Sequence, residues 1–152
     1  MRGVEDVLND ERAKVAMAPA VDAQADGFRR VRESRRNALT EDYVEMIADL
    51  IDAQGTARSV DLAGRLGVTQ ATVAKCVSRL KREDLVRAER YGALHLTDTG
   101  QRMACEARRR HQTVVRFLRH IGVSPENAER DAEGIEHYVS DETLEAFARL
   151  TG

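Results

Sequence analysis

Tryptophan is absent from the chain, and the other aromatic residues are few: three Phe and three Tyr among 152 residues. There are only two prolines, so little in the sequence interrupts helices. A core with so few aromatic rings must consist mainly of Leu, Val, Ile and Ala, a composition that favours helical structure. Hydrophobic residues make up 42% of the chain, which is enough to build one or two small domains.

Two further absences concern the cellular compartment. No apolar run approaches the length needed to cross a bilayer, and the N-terminus lacks the apolar stretch of a signal peptide. The two cysteines, Cys76 and Cys105, form no CxxC pair, so we expect free thiols in a reducing compartment. The sequence therefore predicts a cytoplasmic protein without a membrane partner.

The formal net charge of −2 hides an uneven distribution along the chain. Between Arg58 and Arg90 there are eight Lys or Arg residues against four acids. Between Ile121 and Gly152 there are eight acids against two arginines. The basic middle favours binding to phosphates, and the acidic C-terminal part favours binding to cations.

The basic middle has the pattern of a DNA-binding unit. Residues 59–86 predict two short helices joined by a tight turn at Gly67, and residues 86–97 predict a β-hairpin. This order is typical of a winged helix-turn-helix, whose second helix enters the major groove. The alternative is a helical module with solvated basic residues, but apolar spacing, turn and hairpin all agree with the first interpretation. The candidate DNA-binding residues are Thr69, Gln70, Thr72 and Lys75 for base edges or nearby phosphates, Arg79 and Arg82 for phosphates, and Arg90 for the backbone or minor groove.

Three segments supply side chains of the kind that bind metal ions. They are the long helix predicted over residues 26–53, the helix that follows the hairpin, and the segment DAEGIEHYVS at 131–140. The last of these would place two carboxylates and an imidazole on one face of the penultimate helix. The candidate ligands are Asp42, Glu45, His111, Glu133, Glu136 and His137.

Each segment alone also has a plainer interpretation: an acidic solvated face, or for His111 a core histidine with a hydrogen-bond partner. Together, four carboxylates and two imidazoles form a hard donor set without thiolate, which suits Mn²⁺ or Fe²⁺ better than a Cys-rich structural zinc site. Six side chains exceed the needs of one tetrahedral ion, and two ions bridged by a carboxylate would fit. The combined pattern therefore predicts a metal site.

A metallohydrolase is the main alternative from another class of protein. The segment from Glu133 to His137 resembles the HxxEH motif, but Glu replaces its first histidine. No obvious residue is left as a catalytic base once the ligands are assigned. An organic effector is a second alternative, against which the few aromatic residues argue. We therefore expect a metal-responsive DNA-binding protein that is not an enzyme.

Five segments resemble the short, manganese-sensing branch of the diphtheria toxin repressor (iron-dependent repressor) family of metal-dependent transcriptional repressors. They occur in the same order and with similar spacing over about residues 27–150. The segments are EDYVE (41–45), LAGRLGVTQATVAK (62–75), LHLTDTG (94–100), RRHQTVVRFLRHIGV (109–123) and DAEGIEHYVS (131–140).

The resemblance implies a mainly α-helical homodimer that binds palindromic operator DNA when loaded with Mn²⁺ and represses manganese-uptake genes. It implies a winged helix-turn-helix DNA-binding domain, a helical dimerisation domain, and no C-terminal SH3-like domain. The expected divisions are a mobile N-terminal arm at 1–25, the DNA-binding domain at 26–97, and the dimerisation and metal-binding domain at 98–152.

The resemblance also implies that the six candidate ligands form one site, with two ions per subunit and Glu136 as a bridging ligand. Iron-sensing relatives have Met and Cys where this chain has Asp42 and Glu133, so hard oxygen replaces soft sulfur and favours Mn²⁺. Iron- or zinc-responsive repression remains an alternative, because Fe²⁺ and Zn²⁺ have higher intrinsic affinity for such donors and can substitute for Mn²⁺.

Overall fold

The structure is a computed structural model that describes residues 20–152, so most of the arm predicted at 1–25 lies outside the described residues. The predicted long helix, α1, is confirmed, but it spans Val21–Gln54 and begins before the predicted Asp26. Its buried side chains, among them Tyr43, Ile47 and Leu50, all lie in its C-terminal half. Within residues 20–152, no helix combines the length and the apolar character needed to cross a membrane.

The chain divides into two compact units, one extending to Glu33 and the other comprising Ser34–Gly152. In the first unit, Arg29 forms an ion pair with Asp26 on the same helix. Every site described below lies in the second unit.

The predicted pair of helices and the hairpin are both present. Helix α2 spans Ser59–Leu66 and α3 spans Gln70–Arg82, and the hairpin consists of the antiparallel strands β2 (Val86–Ala88) and β3 (Ala93–Leu96). A two-residue strand that the sequence did not predict, β1 (Ala57–Arg58), pairs with the other edge of β3. The resulting three-stranded sheet has the order β1-β3-β2 and completes a winged helix-turn-helix.

Local sequence features explain the geometry of the turn between α2 and α3. Gly67 ends α2 at a φ of 66°, a left-handed conformation that strains residues with a side chain. Thr69 then caps α3, because its Oγ1 accepts a hydrogen bond from the backbone N–H of Thr72 at 3.2 Å. The apolar side chains of α3 are buried as predicted, namely Val73, Val77 and Leu80. Val60, on α2, is instead 54% exposed.

Three helices follow the hairpin: α4 (Asp98–His120), α5 (Pro125–Ile135) and α6 (Asp141–Thr151). All three predicted caps are confirmed, since Thr97, Ser124 and Ser140 each accept a backbone N–H from the first turn of their helix. These helices enclose a second core, in which the rings of Phe117 and Phe147 stack with centroids 3.8 Å apart.

Helix α4 contributes to both cores. Near its start, Ala104 belongs to the core of the winged helix-turn-helix, and near its end Val114 and Leu118 belong to the second core. His111 lies on the same helix between these two groups. The sequence of α4 therefore places this imidazole between the two cores.

The first turn of α4 lies against the backbone before the hairpin. Thr97 Oγ1 donates to the carbonyl of Asp84 at 2.6 Å and accepts from the N–H of Gly100 at 3.0 Å. A Cβ atom added to Gly100 would overlap the backbone oxygen of Leu85. Only glycine allows this close approach of α4 to the start of the wing.

Candidate metal centre and nucleic-acid interface

The six candidate ligands come from three parts of the fold. Asp42 and Glu45 lie on α1, His111 lies on α4, and Glu133 lies on α5. The remaining two do not lie on the penultimate helix as predicted. Helix α5 ends at Ile135, and Glu136 and His137 lie in the turn that follows it. The turn leads to Ser140, which has an extended backbone and caps α6.

This correction has a structural consequence for His137. The N–H of Tyr138 bonds to the carbonyl of Ile135 at 3.1 Å, a tightened final turn instead of a continued helix. His137 therefore leaves the helical face that Glu133 occupies. Its ring reaches α1 instead, where it meets Glu41 and Asp42.

The carboxylate of Glu136 is the most buried charged group at the site, with its side chain 1% exposed. Its Oε2 atom lies 2.7 Å from His111 Nδ1, and its Oε1 atom lies 3.5 Å from His137 Nε2. Only the first contact is a hydrogen bond, and Oε1 has no hydrogen-bond partner among the described residues. Burial raises the pKa of Glu136, an effect that the two nearby imidazoles oppose.

His111 lies among three carboxylates. Its Nδ1 faces Glu136 and, at 3.8 Å, Glu133, whereas its Nε2 donates to Glu129 Oε2 at 2.9 Å. Burial alone would lower the pKa of His111, but the hydrogen bond to Glu129 and the charge of Glu136 raise it. The donor atoms of His111, Glu133 and Glu136 all lie within 4.8 Å of one another, a spacing that one metal ion can bridge.

His137 lies between acidic groups on the other side of Glu136. Its Nε2 lies 3.2 Å from Asp42 Oδ1, and its Nδ1 lies 2.9 Å from Glu41 Oε2. The hydrogen bonds to Asp42 and Glu41 raise the pKa of His137 to about 10. Without a metal ion, the protonated imidazole therefore supplies the cation among these carboxylates.

Glu45 completes the cluster from α1. Burial, followed by repulsion from Glu136 and Glu133, raises its pKa to about 7. This mutual repulsion indicates that the site carries more negative charge than its neighbouring cations balance. Glu133 is 69% exposed, so the cluster is open to solvent on the α5 side.

The residues present fit a hard divalent cation. Within residues 20–152, the buried Glu136 Oε1 atom has no hydrogen-bond partner, and a buried carboxylate oxygen normally has one. The donors are oxygen and nitrogen, without a thiolate. Burial, together with repulsion from neighbouring carboxylates, raises the pKa of Glu45 and of Glu136.

Sequence reasoning missed two acidic residues and one basic residue next to the cluster. Glu41 binds His137 and also forms an ion pair with Arg110, whose Nη2 atom lies 2.6 Å from Glu41 Oε2. Burial alone would raise the pKa of Glu41, but His137 and Arg110 outweigh that effect and lower it. Glu129 binds the far nitrogen of His111. Both acids could have been found from the sequence, because residues four positions apart lie on the same face of a helix. Glu41 is four positions before Glu45, and Glu129 is four positions before Glu133.

Six of the seven candidate DNA-binding residues lie on α3 or at its N-cap, and the seventh, Arg90, lies in the hairpin. Helix α3 is the second helix of the winged helix-turn-helix, in the position of a recognition helix. The side chains of Thr69, Gln70, Thr72, Lys75 and Arg82 are exposed. The hydroxyl of Thr69 is used as the helix cap and also bonds to Thr72 Oγ1 at 2.9 Å. Among the described residues, the exposed side chains of Gln70, Lys75 and Arg82 have no comparable hydrogen bond.

Arg79 differs from the other basic residues of α3. Its Nη2 atom donates to Thr40 Oγ1 on α1 at 3.0 Å, and its Nε atom lies 3.8 Å from Glu83 Oε1. The side chain is only 32% exposed. Arg79 thus makes contacts within the protein in addition to any with DNA.

The wing is the tip of the β2–β3 hairpin. Arg90 is exposed there, as predicted, next to Tyr91, whose ring is 92% exposed and whose φ is 65°. The sequence analysis had not selected Tyr91. The hairpin therefore presents a cationic and an aromatic side chain side by side.

Two family descriptions match this chain, and their limits follow the two halves of the fold. Residues 37–94 match the family described as "Iron dependent repressor, N-terminal DNA binding domain". Residues 97–152 match "Iron dependent repressor, metal binding and dimerisation domain". The first match includes α2, α3 and the hairpin, and the second includes α4, α5 and α6.

Individual proteins similar to this chain are transcriptional regulators. The chain is 51% identical over 138 residues to "Transcriptional regulator MntR" of Escherichia coli O6:H1, a match that covers 91% of this chain and 89% of that protein. It is 37% identical over 110 residues to "HTH-type transcriptional regulator MntR" of Bacillus subtilis (strain 168), covering 72% of this chain and 78% of that protein.

Solved structures with a similar fold come from the same kind of protein. One is described as "Manganese-dependent transcriptional repressor complex with manganese"; it has a TM-score of 0.66 and 32% identity over 73% of this chain. Another is "Crystal structure of T. acidophilum IdeR", with a TM-score of 0.65 and 29% identity over 72% of this chain. This chain spans about half the length of those two chains, 52% in each case.

These matches agree with the geometry of both sites and exclude the metallohydrolase alternative, since the matching families and relatives are regulators. The chain belongs to the iron-dependent repressor family of transcriptional regulators, with a DNA-binding domain followed by a metal-binding and dimerisation domain.

Proposed function

We propose that the protein is a manganese-dependent repressor of manganese-uptake genes that binds palindromic operator DNA as a homodimer in the cytoplasm. The similarity to the Escherichia coli relative and to the solved repressor complex with manganese supports this function. We assign DNA binding to residues 26–97 and dimerisation and metal binding to residues 98–152, preceded by an arm at 1–25.

The position of Glu136 is the observation that carries the proposed metal site. A carboxylate that is 1% exposed, with one oxygen facing each imidazole, can bridge two ions. His111 and Glu133 would hold one ion with Glu136, and His137 and Asp42 would hold the other. Glu45 is close enough to Glu133 and Glu136 to take part on the first side. A carboxylate-rich set of this kind suits Mn²⁺.

The proposed mechanism couples the metal cluster to helix α3. A bound divalent cation would supply the positive charge that Glu45, Glu133 and Glu136 lack. Because the ligands belong to α1, α4, α5 and the turn after α5, their convergence holds α1 against the C-terminal helices. Helix α1 shares the first core with α3, so the position of α3 depends on how firmly α1 is held. Metal and operator must then strengthen each other's binding equally.

An alternative within the same family is that Fe²⁺ or Zn²⁺ is the cognate ion. The two imidazoles favour this alternative, because Fe²⁺ and Zn²⁺ have higher intrinsic affinity than Mn²⁺ for such ligands. The four carboxylates and the absence of a thiolate favour Mn²⁺, which is why manganese is the proposed effector.

The decisive experiment is a titration of the full chain against a palindromic manganese-transporter promoter fragment. Binding is measured with chelator and then with Mn²⁺, anaerobic Fe²⁺ or Zn²⁺. We expect Mn²⁺ to tighten operator binding in the wild type and in Glu106→Gln, a matched change at an exposed residue of α4. We expect no tightening in Glu136→Gln. Equal operator affinity with and without every metal would overturn the proposal, and tightening by Fe²⁺ or Zn²⁺ alone would favour the alternative.

The number of ions is tested separately by equilibrium dialysis with elemental analysis. We expect two Mn²⁺ per subunit in the wild type. Asp42→Asn weakens only the His137 side, so it should leave one ion, whereas Glu136→Gln removes the shared ligand and should impair both sides. Saturation of the wild type at one ion per subunit would contradict the bridged pair.

A further inference from the structure

A hydrogen bond joins the proposed metal-binding helix to helix α3. Arg79 Nη2 on α3 donates to Thr40 Oγ1 on α1 at 3.0 Å. The Thr40 hydroxyl itself donates to the carbonyl of Arg36 at 3.3 Å, so its oxygen lone pairs remain available to Arg79. Thr40 is 8% exposed, which places this contact inside the protein.

The remaining contacts of Arg79 also lie on the protein side. Its Nη2 atom is 4.0 Å from Cys76 Sγ, and its buried Nε atom lies 3.8 Å from Glu83 Oε1 but forms no hydrogen bond among the described residues. Lys75 and Arg82, on the same helix, are exposed instead. The guanidinium of Arg79 is therefore directed at α1, whereas the side chains of Lys75 and Arg82 are directed at solvent.

Apolar side chains do not fill all of the space between α1 and α3. A cavity of about 450 Å³ lies there, and its lining includes Leu39, Asp42, Tyr43 and Lys75. The two helices share the first core, whose apolar side chains pack them together. Beside that core, the bond from Arg79 to Thr40 is a polar contact between the same two helices.

Thr40 and the proposed ligands use different faces of α1. Residues two positions apart on a helix, such as Thr40 and Asp42, do not face the same direction. Asp42 meets His137 of the acidic cluster, and Thr40 meets Arg79 of α3. Thr40 thus joins the helix that carries Asp42 to α3 through one polar contact.

Building on the proposed function, we propose that Arg79 is a positioning residue, which sets α3 for operator binding through its hydrogen bond to Thr40. It then acts through α1 and is not a phosphate contact, in contrast to Lys75 and Arg82. Through this bond, the position of α3 depends on the position of α1, which carries Asp42 and Glu45.

The test compares Thr40→Val, Thr40→Ser and Arg79→Ala in the full chain. The measured quantity is the ratio of the operator Kd with chelator to the operator Kd with saturating Mn²⁺. We expect Thr40→Val and Arg79→Ala each to reduce this ratio by about tenfold, and the double variant to reduce it no further. Thr40→Ser keeps the hydroxyl and should keep the ratio. Thr113→Val, a matched loss of a buried hydroxyl that bonds only within α4, should leave the ratio unchanged.

Salt dependence separates positioning from phosphate contact. Loss of a phosphate contact lowers the slope of log affinity against log salt by about one, whatever the operator sequence. We expect no change of slope in Thr40→Val or Arg79→Ala. A lowered slope in Arg79→Ala, or an unchanged ratio in Thr40→Val, would overturn the inference while leaving the proposed function intact. A wild type without any Mn²⁺ response would overturn both.

Discussion

The Nδ1 atom of His111 lies 2.7 Å from Glu136 Oε2, although 25 positions separate the two residues in the sequence. The second oxygen of this buried carboxylate has no hydrogen-bond partner among the described residues. A carboxylate in such a position is costly to bury, and a cation that binds it compensates that cost. In the proposed metal site, the pair would therefore link the stability of the protein to the ion.

Thermal unfolding should reveal this link. At a free Mn²⁺ concentration one hundred times the Kd of each site, each ion bound should add about 2.7 kcal/mol to the unfolding free energy of the wild-type protein, if only the folded state binds it. Glu136→Gln retains the size of the side chain and removes its charge, so the gain should disappear. Glu106→Gln should retain it. A full Mn²⁺-induced rise of Tm in Glu136→Gln would show that the buried carboxylate is not a ligand.

Glu133 should control the choice of metal. Its side chain is exposed, so Glu133→Cys exchanges a hard oxygen for a soft sulfur without disturbing a core. We expect Mn²⁺ affinity to fall and Cd²⁺ affinity to rise, each on the order of tenfold. Competition with a fluorescent chelator measures both affinities. Glu126→Cys, an exposed change in the first turn of α5, is the matched control and should leave both unchanged.

Gly100 should be essential for the contact between α4 and the start of the wing. An added methyl group would overlap the backbone oxygen of Leu85, so Gly100→Ala should cost about 1–3 kcal/mol of unfolding free energy. Gly64→Ala, in the middle of α2, meets no atom within 4 Å and should stabilise the protein by roughly 0.5–1 kcal/mol. Denaturant titration measures both. Equal effects of the two substitutions would contradict the close approach.

Lys75 and Gln70 should affect operator binding in different ways. Lys75→Ala should weaken binding to all sequences and lower the salt slope by about one, because a phosphate contact is lost. Gln70→Ala should leave the slope unchanged and reduce discrimination against altered operators by roughly 1–3 kcal/mol, as expected for a base-edge contact. Affinities for operator and scrambled DNA at several salt concentrations test both expectations. A Lys75→Ala variant with the wild-type slope would exclude Lys75 from phosphate binding.

The parts of the fold that depend on local sequence could be predicted. Capping at Thr69, Thr97, Ser124 and Ser140 requires only a side-chain oxygen and the next turn of helix, so these helix starts were found. Strand β1 was missed because it has two residues and exists only by pairing with β3. Too little sequence is available in such a strand to show an alternating pattern.

The candidate site was predictable in composition but not in its contacts. The ligand types and their three segments were visible in the sequence, and His111 and His137 do meet at Glu136, while Asp42 of α1 meets His137. The end of α5 at Ile135 was missed, because the turn that follows depends on where His137 finds its partners on α1. Glu41 and Glu129 were missed for a related reason: their importance comes from the imidazoles they meet, which are distant in sequence.

The contact between His137 and Glu41 joins positions 96 residues apart. During synthesis, the carboxylates of α1 leave the ribosome long before His137 does, so the nascent chain lacks the complete set of ligands until most of it has been made. Closing so long a loop has a large entropic cost, which the packing of the two cores must offset first. With the proposed ligands, tight ion binding is therefore expected only after most of the chain has been made.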